Sequence, residues 1–142
     1  MVATGFASFD TTVDKSNRLL REIEDAYGWP KERRKQSYAA LRSVLHHLRD
    51  RLPVDEAVQF GAQLPTLLRG VYYDGWKPAE TPVKMNGEEF LRRVREDFPY
   101  AIHGDTEQLV RTVLQALRRH VSEGEWKDLK ARMPASLASM IP

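Results

Sequence analysis

The sequence predicts an all-α protein, a helical bundle made of two tandem, homologous three-helix units, with about six main helices plus short tail segments. Three observations predict it. Apolar residues recur at three- and four-residue steps through most of the chain, with charged residues between them. The prolines fall between those periodic runs rather than within them. The order helix, long helix, short helix, Pro, tail occurs twice.

Residues 1–11 show no period and read as a loose N-terminal arm; Met1 to Asp10 has no basic residue and no apolar run, so a signal peptide is not expected. Residues 12–71 form the first unit. Its first helix carries Leu20, Ile23 and Tyr27 and stops at Gly28, a residue suited to the left-handed position after a helix. Pro30 then suits the first turn of the long helix, whose stripe is Tyr38, Leu41, Leu45, Leu48 and Leu52. Pro53 cannot continue that helix and opens a third, with Asp55 and Glu56 in the first turn, where the helix dipole favours anions. Ala57, Phe60, Gly61 and Leu64 make its apolar face; Pro65 breaks it, and Leu67, Leu68 and Val71 continue in a short tail.

Residues 72–85, with Tyr72, Tyr73, Trp76, Pro78, Pro82 and an Asp74-Gly75 turn, read as a non-helical connector. Residues 86–142 form the second unit. Asn86 with Glu89, Asp105 with Gln108, and Ser122 with Glu125 are capping signals for three helices. Their apolar faces are Phe90, Leu91, Val94 and Phe98; Val110, Val113, Leu114, Leu117 and Val121; and Trp126, Leu129 and Met133.

Laid without a gap on Val110–Met140, Leu41–Val71 gives nine identities in 31 columns, against roughly two expected from average composition. Among them are Leu45 with Leu114, expected at the centre of a shared core, Arg42 with Arg111, Arg49 with Arg118, and Glu56 with Glu125. The charged pairs sit beside the apolar stripe and read as snorkelling arginines and a helix-to-helix ion pair. A unit of about 50–60 residues is marginal alone, so the two are expected to pack as one domain.

Composition narrows the function. With 42% apolar and 30% charged residues the chain is globular, and its formal charge of +2 commits it to no polyanion. Lack of cysteine excludes thiolate metal sites and fits a reducing compartment, so a cytoplasmic location is expected. No apolar stretch approaches the roughly 20 residues of a membrane span, so no membrane partner is expected.

Two segments, Leu45-His46-His47-Leu48-Arg49-Asp50-Arg51-Leu52-Pro53 and Gln63-Leu64-Pro65-Thr66-Leu67-Leu68-Arg69-Gly70-Val71-Tyr72-Tyr73-Asp74-Gly75-Trp76, resemble a bacterial family catalogued as domain of unknown function 2267. The likeness runs from about Phe9 onward. The resemblance implies a helical, bacterial, cytosolic protein. It brings no activity and no site residues.

Candidate chemistry is sparse. His46 and His47 diverge on a helix, and a metal would need His46, Asp50 at i+4 and ligands from elsewhere; they read as two solvated histidines. No metal site and no cofactor are expected. There is no Gly-rich phosphate loop, no nucleophile elbow and no catalytic constellation, so no catalytic residue is assigned. The run Lys31, Glu32, Arg33, Arg34, Lys35 puts four cations near a helix N-terminus, where the dipole disfavours them. Together with Arg92, Arg93, Arg95, Arg118 and Arg119 it is a candidate basic surface, though a solvated face accounts for it more simply. Arg69, Tyr72, Tyr73 and Trp76 form a candidate binding patch, whose simpler reading is an aromatic strap across the seam. The leading expectation is a non-catalytic helical interaction protein that binds a protein partner or itself. Salt-sensitive nucleic-acid binding through basic helix faces comes second, and an enzyme of unknown class third.

Overall fold

The computed structural model describes residues 4–142. Among these the protein has eight α-helices and no strand: α1 (Ala7–Tyr27), α2 (Arg34–Arg51), α3 (Val54–Ala62), α4 (Thr66–Tyr73), α5 (Gly87–Asp97), α6 (Thr106–Arg118), α7 (Glu123–Ala131) and α8 (Ala135–Ala138). The all-α expectation holds, but eight helices replace about six, because the tail segments after Pro65 and Pro134 close into helical turns of their own. No helix among the described residues is long and apolar enough to cross a membrane.

Local signals set most boundaries. Gly28 ends α1 with φ 67° and returns its N–H to Asp25 and Glu24 carbonyls. Pro53, Pro65 and Pro134 stand in extended geometry just ahead of α3, α4 and α8. Asn86, Asp105 and Ser122 side chains accept from the N–H groups of Glu89, Gln108 and Glu125. The capping box at Ser122 is only half made: its own N–H donates to Gln63 Oε1 at 2.9 Å, which leaves the Glu125 carboxyl free to turn elsewhere.

α2 lies at the centre, against α1, α4, α5 and α6, while α1 and α5 each also touch α6. α3 packs on α4 and α7, and α5 on α8. The buried apolar residues form one cluster, with Leu45 and Leu114 fully buried as the paired stripes require. Trp29, stacked between Tyr27 and Phe98, joins the ends of α1 and α5. At α5 the helix meets α8 so closely that a Cβ on Gly87 would lie 2.6 Å from Ser136 O.

Three expectations about the elements need correction. The N-terminal arm does not extend to residue 11, since α1 starts at Ala7; Met1–Ala3 lie outside the described residues. The first turns of α1 are exposed, so they carry no apolar stripe to reveal them; they are held by Thr4 N–H to Asp10 Oδ1 (2.6 Å) and by Leu67 N–H to Thr12 Oγ1 (2.8 Å). Tyr72 and Tyr73 are helical, not connector, because a tertiary contact extends α4: the buried Arg49 donates to Tyr72 O at 2.7 Å and Asp74 O at 2.9 Å. Tyr38 and Leu67 sit on predicted stripes yet are exposed. From Gly75 (φ 75°) the connector turns back along the end of α2, with Val83 N–H on Asp50 O and Arg51 Nε on Met85 O.

Candidate functional site

A cleft of about 590 Å³ opens where the first turns of α1, the start of α4 and the turn after α6 meet. α1 contributes Thr11, Thr12 and Lys15; the chain around α4 contributes Gln63, Thr66 and Arg69; the turn after α6 contributes Arg119 and His120. Three cations and no carboxylate line it. Its volume lies in the range of sites that hold small molecules or peptide side chains.

Each side chain is held by its own element. Gln63 bridges the end of α3 to the start of α7 through Ser122. Arg69 closes the C-terminus of α3, donating to Gly61, Ala62 and Leu64 carbonyls at 3.0–3.3 Å. Such orphan carbonyls attract a cation. Arg119 pairs with Glu22 at 3.2 Å. Lys15 is exposed at the mouth, and His120 Nε2 is buried without a hydrogen-bond partner. Burial pushes the His120 imidazole below its ordinary value; nearby Glu22 opposes the shift, and Lys15, Arg18 and Arg119 reinforce it. The ring is therefore neutral at pH 7. Phe9 (60% exposed) and Leu67 (47%) leave apolar surface open on α1 and α4, though neither lines the cleft.

The residues singled out in the sequence fall differently. Arg69 reaches the cleft, but Tyr72, Tyr73 and Trp76 do not line it. Tyr72 is fully buried, its ring 5.7 Å from Phe60 and its hydroxyl donating to Ala57 O at 2.7 Å. Tyr73 packs on Tyr72 and Trp76, both Tyr73 and Trp76 half-buried, with Trp76 Nε1 buried and unpartnered. The two tyrosine rings brace α4 on α3, as their closeness to Gly61 indicates, and Trp76 packs on Tyr73. Of the basic run, Lys31, Arg33 and Lys35 are exposed. Arg34 instead grips buried Glu24 with two bonds of 3.0 Å, completed by Ser37 at 2.6 Å. Arg92 and Arg93 are paired with Glu89 on their own helix.

His46 and His47 are half-buried rather than solvated. His46 Nε2 donates to Val71 O at 2.7 Å, and His47 Nε2 to Asp97 Oδ2 at 2.6 Å, because neighbouring helices offer acceptors on both sides of α2. Burial lowers the His46 pKa.

Sequence reasoning missed one cluster. Glu56 on α3 and Glu125 on α7, read as partners for the arginines beside them, face each other, and with Asp128 their ligand oxygens lie within 4.8 Å of one another. Arg132 approaches Glu56 at 3.9 Å. Burial, then the nearness of the Glu56 carboxyl, push the Glu125 carboxyl up to about 8. Glu56 and Glu125 occupy one column of the gapless sequence alignment, which was the available signal.

Residues 16–140 match the family model described as "Uncharacterized conserved protein (DUF2267)". The chain belongs to that family. No curated protein matches it. The DUF2267 segment spans the acidic cluster and the Gln63–Arg69 and Arg119–Val121 walls of the cleft, and begins just after Lys15. The family's description names no activity, so function rests on the geometry.

Proposed function

We propose that this DUF2267 protein is a non-catalytic binding protein of the bacterial cytoplasm, whose cleft takes an acidic segment of a partner protein. The observation that carries the reading is a lining of three cations without a carboxylate. Placed together around one cleft, these charges add their fields and attract anions more strongly than scattered surface charges do. The exposed Phe9 on α1 and Leu67 on α4, the helices that carry Lys15 and Arg69, suit apolar contacts of the same partner. The exposed Lys31, Arg33 and Lys35 favour nucleic-acid binding as the second reading.

We also infer that the chain is an internal duplication. α3 and α7, and likewise α4 and α8, start 69 residues apart, the same offset as the gapless sequence alignment. The facing of Glu56 and Glu125 fits a pseudo-twofold relation between the units.

Affinity capture with the intact chain tests the binding reading, comparing wild type with a Lys15→Glu, Thr66→Glu double variant. Both positions are exposed, so the fold should persist. Capture of a protein by wild type and its loss in the variant is the expected result. Equal capture by both would refute the cleft, and nuclease-sensitive material in its place would establish the second reading.

A further inference from the structure

We propose that Glu56, Glu125 and Asp128 form a binding site for a hard divalent cation at the contact between α3 and α7. Their ligand oxygens lie within 4.8 Å of one another. Three oxygens bound to a single calcium ion at about 2.4 Å can be mutually at most about 4.2 Å apart, so a small closing of these side chains lets one ion reach all three. Acidic side chains cluster on many surfaces without binding a metal, but two of these are buried. Glu56 is 2% exposed and Glu125 8%, and Glu56 Oε2 and Glu125 Oε1 have no hydrogen-bond partner. An unpartnered buried carboxylate oxygen is costly, and a cation between the two would satisfy both.

The surroundings agree. Glu125 is released from capping its own helix because Ser122 N–H binds Gln63. Asp128, one turn further along α7 and exposed, gives the site an opening to solvent. The cation paired with the cluster, Arg132, is also drawn outward to Asp55 at 3.2 Å, so its guanidinium is shared between Glu56 and a carboxylate outside the cluster. An all-carboxylate set selects calcium, magnesium or manganese over zinc or copper, which prefer imidazole or thiolate. Because the ligands come from two helices, a bound ion would clamp α3 to α7.

The test uses the intact chain, freed of metal by chelator and titrated with calcium, magnesium and manganese chlorides, followed by calorimetry and thermal melting. One ion per chain and a rising melting temperature are expected, as for any ligand of the folded state. Asp128→Asn, at an exposed position, should weaken binding about tenfold or more, since affinity follows ligand charge. Arg132→Gln should strengthen it by removing the competing cation. Absence of heat and of a melting shift up to about 5 mM, beyond the weakest protein calcium sites, would overturn the proposal. Binding unchanged in Asp128→Asn would do the same by placing the ion elsewhere.

Discussion

Replacing Arg49 by Ala should be among the most damaging single changes in this protein, and its counterpart Arg118 should be nearly silent. The Arg49 side chain is 4% exposed; its Nε donates to Asp50 at 2.8 Å, and one terminal nitrogen to the carbonyls of Tyr72 and Asp74. Each bond to a charged donor contributes roughly 1.5–3 kcal/mol, and truncation would leave two carbonyls at the end of α4 and a half-buried carboxylate unpaired. Breaking a buried pair of this kind costs about 3–5 kcal/mol. Against a total stability of roughly 5–15 kcal/mol, that is a large share. Arg118 is half-buried, but its only ion pair is a loose one, 3.8 Å from the exposed Glu123, so Arg118→Ala should change stability by less than about 1 kcal/mol. Urea denaturation followed by tryptophan fluorescence gives both values, and hydrogen exchange at the Asp74 amide, which bonds Gly70 O, reports whether α4 frays first in the Arg49 variant. Equal losses below about 1 kcal/mol in both variants would refute the reasoning, because α4 would then owe its last turn to something other than this guanidinium.

Gly87→Ala would set a methyl 2.6 Å from Ser136 O and 2.8 Å from its carbonyl carbon, backbone atoms that cannot swing aside, and should cost about 1–3 kcal/mol in thermal melting. Gly124→Ala, on a helix with nothing within 4 Å of the added methyl, should stabilise by about 0.4–1 kcal/mol. Burial raises the Glu24 carboxyl, but bonds from Arg34 and Ser37 outweigh it and leave the group below its ordinary 4.5. A lowered acid contributes its full stability above the unfolded value and loses it as pH falls through the folded one. Glu24→Gln should therefore be less stable than wild type at pH 7, with the gap closing below 4.5 in acid melts; a gap independent of pH would exclude Glu24 as its source.

What could be read in the sequence follows from the range of the interaction responsible. Gly28, Asn86 and Asp105 act on groups within a few residues, so the pattern alone reveals them. The stripes of α2 and α6 are read correctly where a helix lies opposite; Tyr38 and Leu67 fail because periodicity tells which face a residue occupies, not whether a neighbour covers it. The last turn of α4 depends on Arg49, over 20 residues away, and was invisible for that reason. Arg34 illustrates the converse: a cation at a helix start looks misplaced until Glu24, from the preceding helix, supplies the anion. The cleft draws on residues 8–15, 63–69 and 119–121, so only Arg69 and Arg119 could be singled out beforehand, the one for its aromatic neighbours and the other as part of a basic surface, neither for the cleft.

The packing order gives the site a dependence that no single helix would reveal. α1 touches α6 as well as α2, and α5 touches α2 as well as α6, so the flanking helix of each half covers the long helix of the other. The apolar stripes of α2 and α6 then belong to one core, and neither half can bury its stripe without the other. The cleft inherits this arrangement. Lys15 and Arg69 come from the first half, Arg119 and His120 from the second, and Gln63 crosses between them to the Ser122 amide. Two of its cations are compensated where they stand, Arg119 by Glu22 and Arg69 by the carbonyls that end α3. The fold therefore carries the cleft at little cost, and the long-range packing that closes the core also sets these cations side by side.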